Sequence, residues 1–205
     1  MGGTEERTST QERAEDRLHL LPRLLRGEAS EILTRLADGD PLRLYELGSR
    51  RAREAFLLFD ADRIFERLTA RVAYAGAEAE PPALGIAWLL SQADHVLERM
   101  IDEEREEERK APFDCDPEDR RYPFLRSLWV DPRYTRAASL AFNTLRLSAR
   151  QGFFWLFLEQ RSVDETLALG TWSKDELMRD CWRAIGALGL HDLSRRPDPE
   201  WQLEP

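Results

Sequence analysis

The segments SVDE at 162–165 and SKDE at 173–176 lie eleven residues apart, each ahead of an apolar run. In this pattern the serine hydroxyl accepts from the backbone N–H three residues on, and the glutamate reaches back to the serine's own N–H. Both sides of a helix N-terminus are closed at once. A third match, Ser148 with Gln151, precedes the apolar stretch FFWLFL at 153–158. Three helix starts so closely spaced predict short helices joined by tight turns. Nowhere does the chain alternate apolar and polar residues as a strand does, and it holds no repeat of solenoid length. The expected fold class is all-α.

The rest of the chain reads the same way. Leucines at 18, 20, 21, 24 and 25 are interrupted by Pro22, which limits them to one short helix or two. Asp40-Pro41 has the form of a helix start, with Asp at N-cap and Pro at N1. Asp60 or Asp62 then opens RIFERLTARVAYA, where Ile64, Phe65, Leu68, Val72 and Ala73 form one stripe. Pro81-Pro82 opens the longest helical pattern, with Trp88, Leu89, Ala93, Val96, Leu97, Met100 and Ile101 on its apolar face. Its last two turns carry only charge, which predicts a solvated end. Residues 111–123, APFDCDPEDRRYP, lack periodicity and hold three prolines, so they are the expected linker. Asp131-Pro132 starts the next helix.

The expected organisation is a tail and short helix over 1–29, a helical domain over 30–110, and a linker over 111–131. A second helical domain follows over 132–196, with a tail over 197–205. In the second domain Leu177, Cys181, Ala184, Ile185 and Leu188 recur at helical spacing as the buried stripe. Lys174, Asp175, Arg179, Asp180 and Arg183 are expected to face outward. FFWLFL is covered only if both later helices pack on it. Three helices with a tight turn between the last two form a tri-helical helix-turn-helix.

At this point LRLSARQGFFWLFLEQRSVDETLALGTWSKDELMRDCWRAIGAL resembles region 4 of the sigma-70 family of transcription factors, particularly the small extracytoplasmic-function type. Leu147, Arg150, Phe153, Ser162, Glu165, Leu177, Arg183 and Ala184 carry the likeness. LYELGSRRAREAFLLFDADRIFERLTARVA and AWLLSQADHVLERMIDEER are similar, more faintly, to region 2 of that family; Trp88, Leu89 and Ala93 match, and His95 stands where asparagine is usual. The resemblance implies a cytoplasmic transcription-initiation protein that acts without catalysis, cofactor or metal. It implies contact with core RNA polymerase through Asp62, Ile64, Phe65, Arg67 and Leu68, and with promoter DNA through Lys174, Arg179 and Arg183. An anti-sigma or other basic protein would be a further partner.

The departures from the family bear on that function. The tight-turn glycine comes one position early as Gly170, with Thr171 in the usual glycine's place, and Leu167 replaces a small residue. The last helix balances Lys174, Arg179 and Arg183 against Asp175, Glu176 and Asp180. The basic end of the promoter-reading helix has become IDEEREEERK, and Thr69 takes an aromatic position. Acids facing the DNA backbone oppose binding. Two readings therefore stand: a sigma-like initiation protein, or the same scaffold kept as a protein-interaction module without promoter reading. In the second, Glu103, Glu104, Glu106, Glu107 and Glu108 would face a basic partner.

Composition narrows the remaining classes. The 205-residue chain has a formal net charge of −9, so no global field draws it to nucleic acid, and any DNA contact is local. The polar start MGGTEERTSTQERAED predicts no secretory leader, and no apolar run reaches membrane-spanning length. Cys115 and Cys181 lack CxxC spacing, which points away from a disulfide framework or a zinc site. No phosphate loop, HExxH or G-x-S-x-G occurs, so an enzyme is not expected.

Overall fold

The computed structural model describes residues 17–78, 85–110, 125, 128, 130 and 134–189. Outside the described residues lie the start of the chain, Pro81-Pro82, the stretch 111–123, Asp131-Pro132 and the tail from 197. The described residues form nine α-helices and no strand. The fold class is all-α. The chain divides into two compact units, Met1–Glu54 with Phe59–Asp102, and Ala55–Leu58 with Glu103–Pro205. This division is less simple than two consecutive domains, because a four-residue segment from the N-terminal half belongs to the second unit.

In the first unit a 3-10 turn, Leu18–Leu20, leads into α1 (Leu21–Leu24), where Pro22 sits in the first turn and removes no helical hydrogen bond. Helices α2 (Ala29–Ala37), α3 (Leu44–Glu54) and α4 (Ala61–Glu78) follow, then α5 (Ile86–Lys110), which belongs to this unit as far as Asp102. Asp40 does cap α3, but from further away than the Asp-Pro pattern predicts. Its carboxylate accepts from Leu44 N–H at 2.7 Å and Tyr45 N–H at 3.0 Å. Asp40 and Arg43 both adopt positive φ, 45° and 54°, so the chain turns before the helix begins. At the next start the cap is Asp60, whose Oδ1 accepts from Asp62 N–H at 3.0 Å.

Helix α4 packs against both α2 and α3. Ile64, Leu68 and Val72 are buried with Ile32, Leu36, Leu44 and Leu47. Close approach of α3 depends on Gly48, where a Cβ would lie 2.5 Å from Ile64 Cγ2. Two polar ties hold α5 to its neighbours: Arg51 forks onto both oxygens of Asp94 at 2.6 and 2.8 Å, and Arg71 Nε donates to Gln92 at 2.9 Å. Trp88 is partly buried and His95 is exposed.

The second unit holds Ala55–Leu58, the end of α5, α6 (Thr135–Asn143), α7 (Leu147–Phe153), α8 (Val163–Leu169) and α9 (Lys174–Ala187). Its core joins Leu58, Leu125, Val130, Ala138, Phe142, Phe153, Phe154, Ala184 and Leu188. Asn143 fixes Leu58 as a paired backbone would: Leu58 N–H donates to Oδ1 at 2.8 Å, and Nδ2 donates to Leu58 C=O at 3.3 Å.

The acidic end of α5 is solvated on one side only: Arg105, Arg109 and Lys110 are exposed, as its composition predicts, but the other side is engaged. Glu104 is fully buried and accepts from Ser139 Oγ at 2.9 Å, and buried Arg136 donates to Glu108 at 3.0 Å and lies 3.6 Å from Glu107. Glu104 and Glu108 are thus spent on α6, which removes them from any surface offered to a basic partner. A buried carboxylate is tolerable only with such partners.

Candidate nucleic-acid interface

The segment 147–189 holds three helices, α7, α8 and α9, with a four-residue turn, Gly170–Ser173, between the last two. Both expected capping boxes form. Ser162 Oγ accepts from Glu165 N–H and Glu165 accepts from Ser162 N–H at 2.8 Å; Ser173 and Glu176 repeat the arrangement, also at 2.8 Å. The serine N–H and then the hydroxyl hold both glutamates below the ordinary carboxylate value. The third expected box does not form. Ser148 lies inside α7 and spends its hydroxyl elsewhere, as described below.

The apolar stretch 153–158 leaves α-helical geometry at Phe154 and continues as a π-turn, Phe154–Leu158, closed by Glu159 N–H onto Phe154 C=O at 2.8 Å. Widening the helix redistributes the rings. Phe153 packs on Phe142 at 5.2 Å, Phe154 and Trp155 each meet Phe56 edge-on, and Phe157 remains 48% exposed. Cover for this stretch therefore comes from α6 and Phe56 as well as from the later helices.

The turn between α8 and α9 explains the early glycine. Gly170 has an extended backbone, φ −114° and ψ −176°, so no left-handed conformation demands it. The indole of Trp172 occupies the space that a Cβ would need, and Trp172 in turn meets Trp155 edge-on at 5.6 Å. Glycine here makes room for an aromatic anchor of the turn. Thr166 is fully buried, while Leu167 is only partly so.

Helix α9 lies against α7 through Leu177, Cys181, Ala184 and Leu188, as the stripe predicts, with Ile185 partly buried. Gly152 of α7 permits the contact: a Cβ there would lie 2.9 Å from Leu177 Cδ1 and 3.2 Å from Cys181 Sγ. Burial, then the neighbouring Asp180 charge, pushes the Cys181 thiol up to about 11. It is a core residue and a poor nucleophile.

One expectation about this helix is overturned. Asp180 does not face outward; it is fully buried against α7. Arg146 binds it through Nε at 3.1 Å and through a shorter contact from its Nη2. Ser148 Oγ donates to it at 2.6 Å and Arg183 at 3.2 Å. Burial by itself raises the Asp180 pKa; the bonds from Arg146 and Ser148, with the charges of Arg146 and Arg183, outweigh it and hold the group below its ordinary value. Asp180 is thus structural.

Of the residues expected to touch DNA, Lys174 and Arg179 are exposed, and Arg183 is exposed while bonded to Asp180. Asp175 shares this outward side, and Glu176 is engaged by its cap. Met178 and Trp182, which the apolar stripe left unassigned, are exposed at 39% and 62%. The available signal was their one-turn spacing, about 100° round the helix from Leu177 and Cys181.

The residues expected to bind polymerase belong to the first unit and fall into two groups. Ile64 and Leu68 are buried beneath α3 and cannot touch a partner in this fold. Asp62 and Arg67 are exposed, and Phe65 is partly exposed with its ring 6.0 Å from that of Tyr45. An exposed polymerase contact on α4 would therefore draw on Asp62, Phe65 and Arg67.

Compared with protein-family models, curated proteins and solved structures, the chain finds no match in any of the three. Among the described residues no helix is long and apolar enough to cross a membrane.

Proposed function

We propose that this chain is a sigma-like transcription-initiation protein. It binds core RNA polymerase through the exposed side of α4 and lays the outward face of α9 on duplex DNA. The observation that carries the reading is the inward turn of Asp180. Once that acid is tied to Arg146 and Ser148, the outer side of α9 presents Lys174, Arg179 and Arg183 against Asp175 and the capped Glu176. The local balance then favours phosphate over the chain as a whole, whose charge is −9. The mechanism is recruitment and positioning, with no covalent step. A second reading, the scaffold as a protein-interaction module without promoter reading, is favoured by one feature: Asp175 stands among the outward bases.

Two measurements separate them. Immobilised protein is tested for retention of core polymerase, and duplex DNA is titrated at two salt concentrations. Retention together with affinity that falls steeply with salt supports the first reading. Retention without salt-dependent DNA binding leaves only the second. Failure of both measurements ends the sigma-like reading.

A further inference from the structure

One flank of the α9 outward face is apolar. Met178 and Trp182 stand one turn apart, exposed at 39% and 62%, and among the described residues no aromatic ring lies against Trp182. Adjacent on successive turns, they form one small apolar patch rather than two scattered residues. At 3.6 residues per turn Lys174 falls about 40° to one side of Met178. On the other side Arg179 lies about 60° beyond Trp182, with Arg183 further round, and the exposed Asp175 falls between, about 20° beyond Trp182 and two turns before it. A base on each edge of an apolar strip fits a major groove, where phosphates line the two walls and base edges lie between them.

We propose that Met178 and Trp182 read thymine C5-methyl groups in the major groove, so that α9 prefers A·T-rich duplex. The inference rests on the DNA-contacting reading above and names what that face recognises. The C5-methyl is the one apolar group that the groove displays, and it distinguishes thymine from every other standard base. Asp175, on the same side in the first turn, opposes phosphate but can accept from an adenine or cytosine amino group. The cations supply affinity without sequence preference; the apolar pair supplies the preference.

The test uses the full chain and three duplexes of equal length: alternating dA–dT, alternating dA–dU, which lacks only the methyl groups, and alternating dG–dC. Burying one methyl corresponds to about a fourfold gain in affinity. The expected result is binding to dA–dT at least about fourfold tighter than to dA–dU. Met178→Ala and Trp182→Ala each reduce that ratio while leaving the salt dependence unchanged, and Lys174→Ala with Arg179→Ala does the opposite. Equal affinity for dA–dT and dA–dU with a normal salt slope overturns the methyl reading and leaves DNA contact standing. A preference that survives Met178→Ala combined with Trp182→Ala also overturns it, since duplex shape would then be the cause. Absence of salt-dependent binding to all three duplexes removes the DNA-contacting reading itself.

Discussion

Asp180 offers the sharpest check on the packing of α9. Asp180→Ala removes the acceptor for Arg146, Ser148 and Arg183 together. Stripping one partner from a fully buried pair costs about 3–5 kcal/mol. That figure is too large here, because the Arg146 and Arg183 side chains are 54% and 50% exposed and return to water when released. The remaining loss is the charged bond from partly buried Ser148 and the poorer packing against α7, which together set the expected destabilisation at about 2 kcal/mol. Asp175→Ala is the matched control: the same deletion, on the same helix, at an exposed position, with an expected change within about 0.5 kcal/mol. Urea unfolding of the whole chain reads the difference as a midpoint shift at constant slope. Hydrogen exchange places the loss in α7 and α9. The pH dependence has a definite sign. Because the folded pKa is depressed below the ordinary aspartate value of 3.8, the stabilisation is fully present above that value and is lost as pH falls through the folded one. If Asp180→Ala and Asp175→Ala destabilise equally, or if the gap between Asp180→Ala and wild type persists at the acid end, the buried network is refuted.

Three further outcomes are expected. Asn143→Ala orphans the buried N–H of Leu58 and leaves its C=O only the 3.4 Å bond from Ser139 Oγ; it should cost about 2 kcal/mol in chemical denaturation, whereas Thr144→Ala, at the exposed neighbour, should cost far less. Gly152→Ala forces a methyl against Leu177 and Cys181 and should destabilise by about 1–3 kcal/mol, with the thermal midpoint as readout. Asp175→Asn should raise affinity for duplex DNA at low salt, while Asp180→Asn leaves it unchanged among molecules that remain folded; equal gains from the two would place Asp180 on the outer surface after all.

What could be read from the sequence was what depends on near neighbours. The boxes at Ser162 and Ser173 form because donor, acceptor and helix start lie within four residues of one another. The stripe Leu177, Cys181, Ala184 and Leu188 followed from period alone. Asp180 could not be placed that way: at helical spacing it falls on the border of the stripe, and its burial is decided by Arg146 and Ser148, more than thirty residues earlier. The same partnership took Ser148 away from Gln151. Glu104 and Glu108 misled for a related reason, since a run of acids implies solvent until Ser139 and Arg136 of α6 are brought against it. On α4, helical spacing marked Ile64 and Leu68 as apolar but could not say whether α3 or a partner covers them; Gly48 decides for α3.

The bond between Leu58 and Asn143 also sets a schedule. The two residues are 85 positions apart, so the second unit closes its core around a segment made long before the helix that receives it. At roughly 5–20 residues per second of synthesis, Leu58 waits about 4–17 s for Asn143 to appear. Non-local closure of this kind slows folding, because the loop entropy is lost before the contact is gained. Through that interval Leu57 and Leu58, both buried at the end, have no finished core to enter. A fragment beginning at Glu103 would never receive them. Until α6 is complete these two leucines are apolar surface left open on the nascent chain, the kind of surface that promotes aggregation.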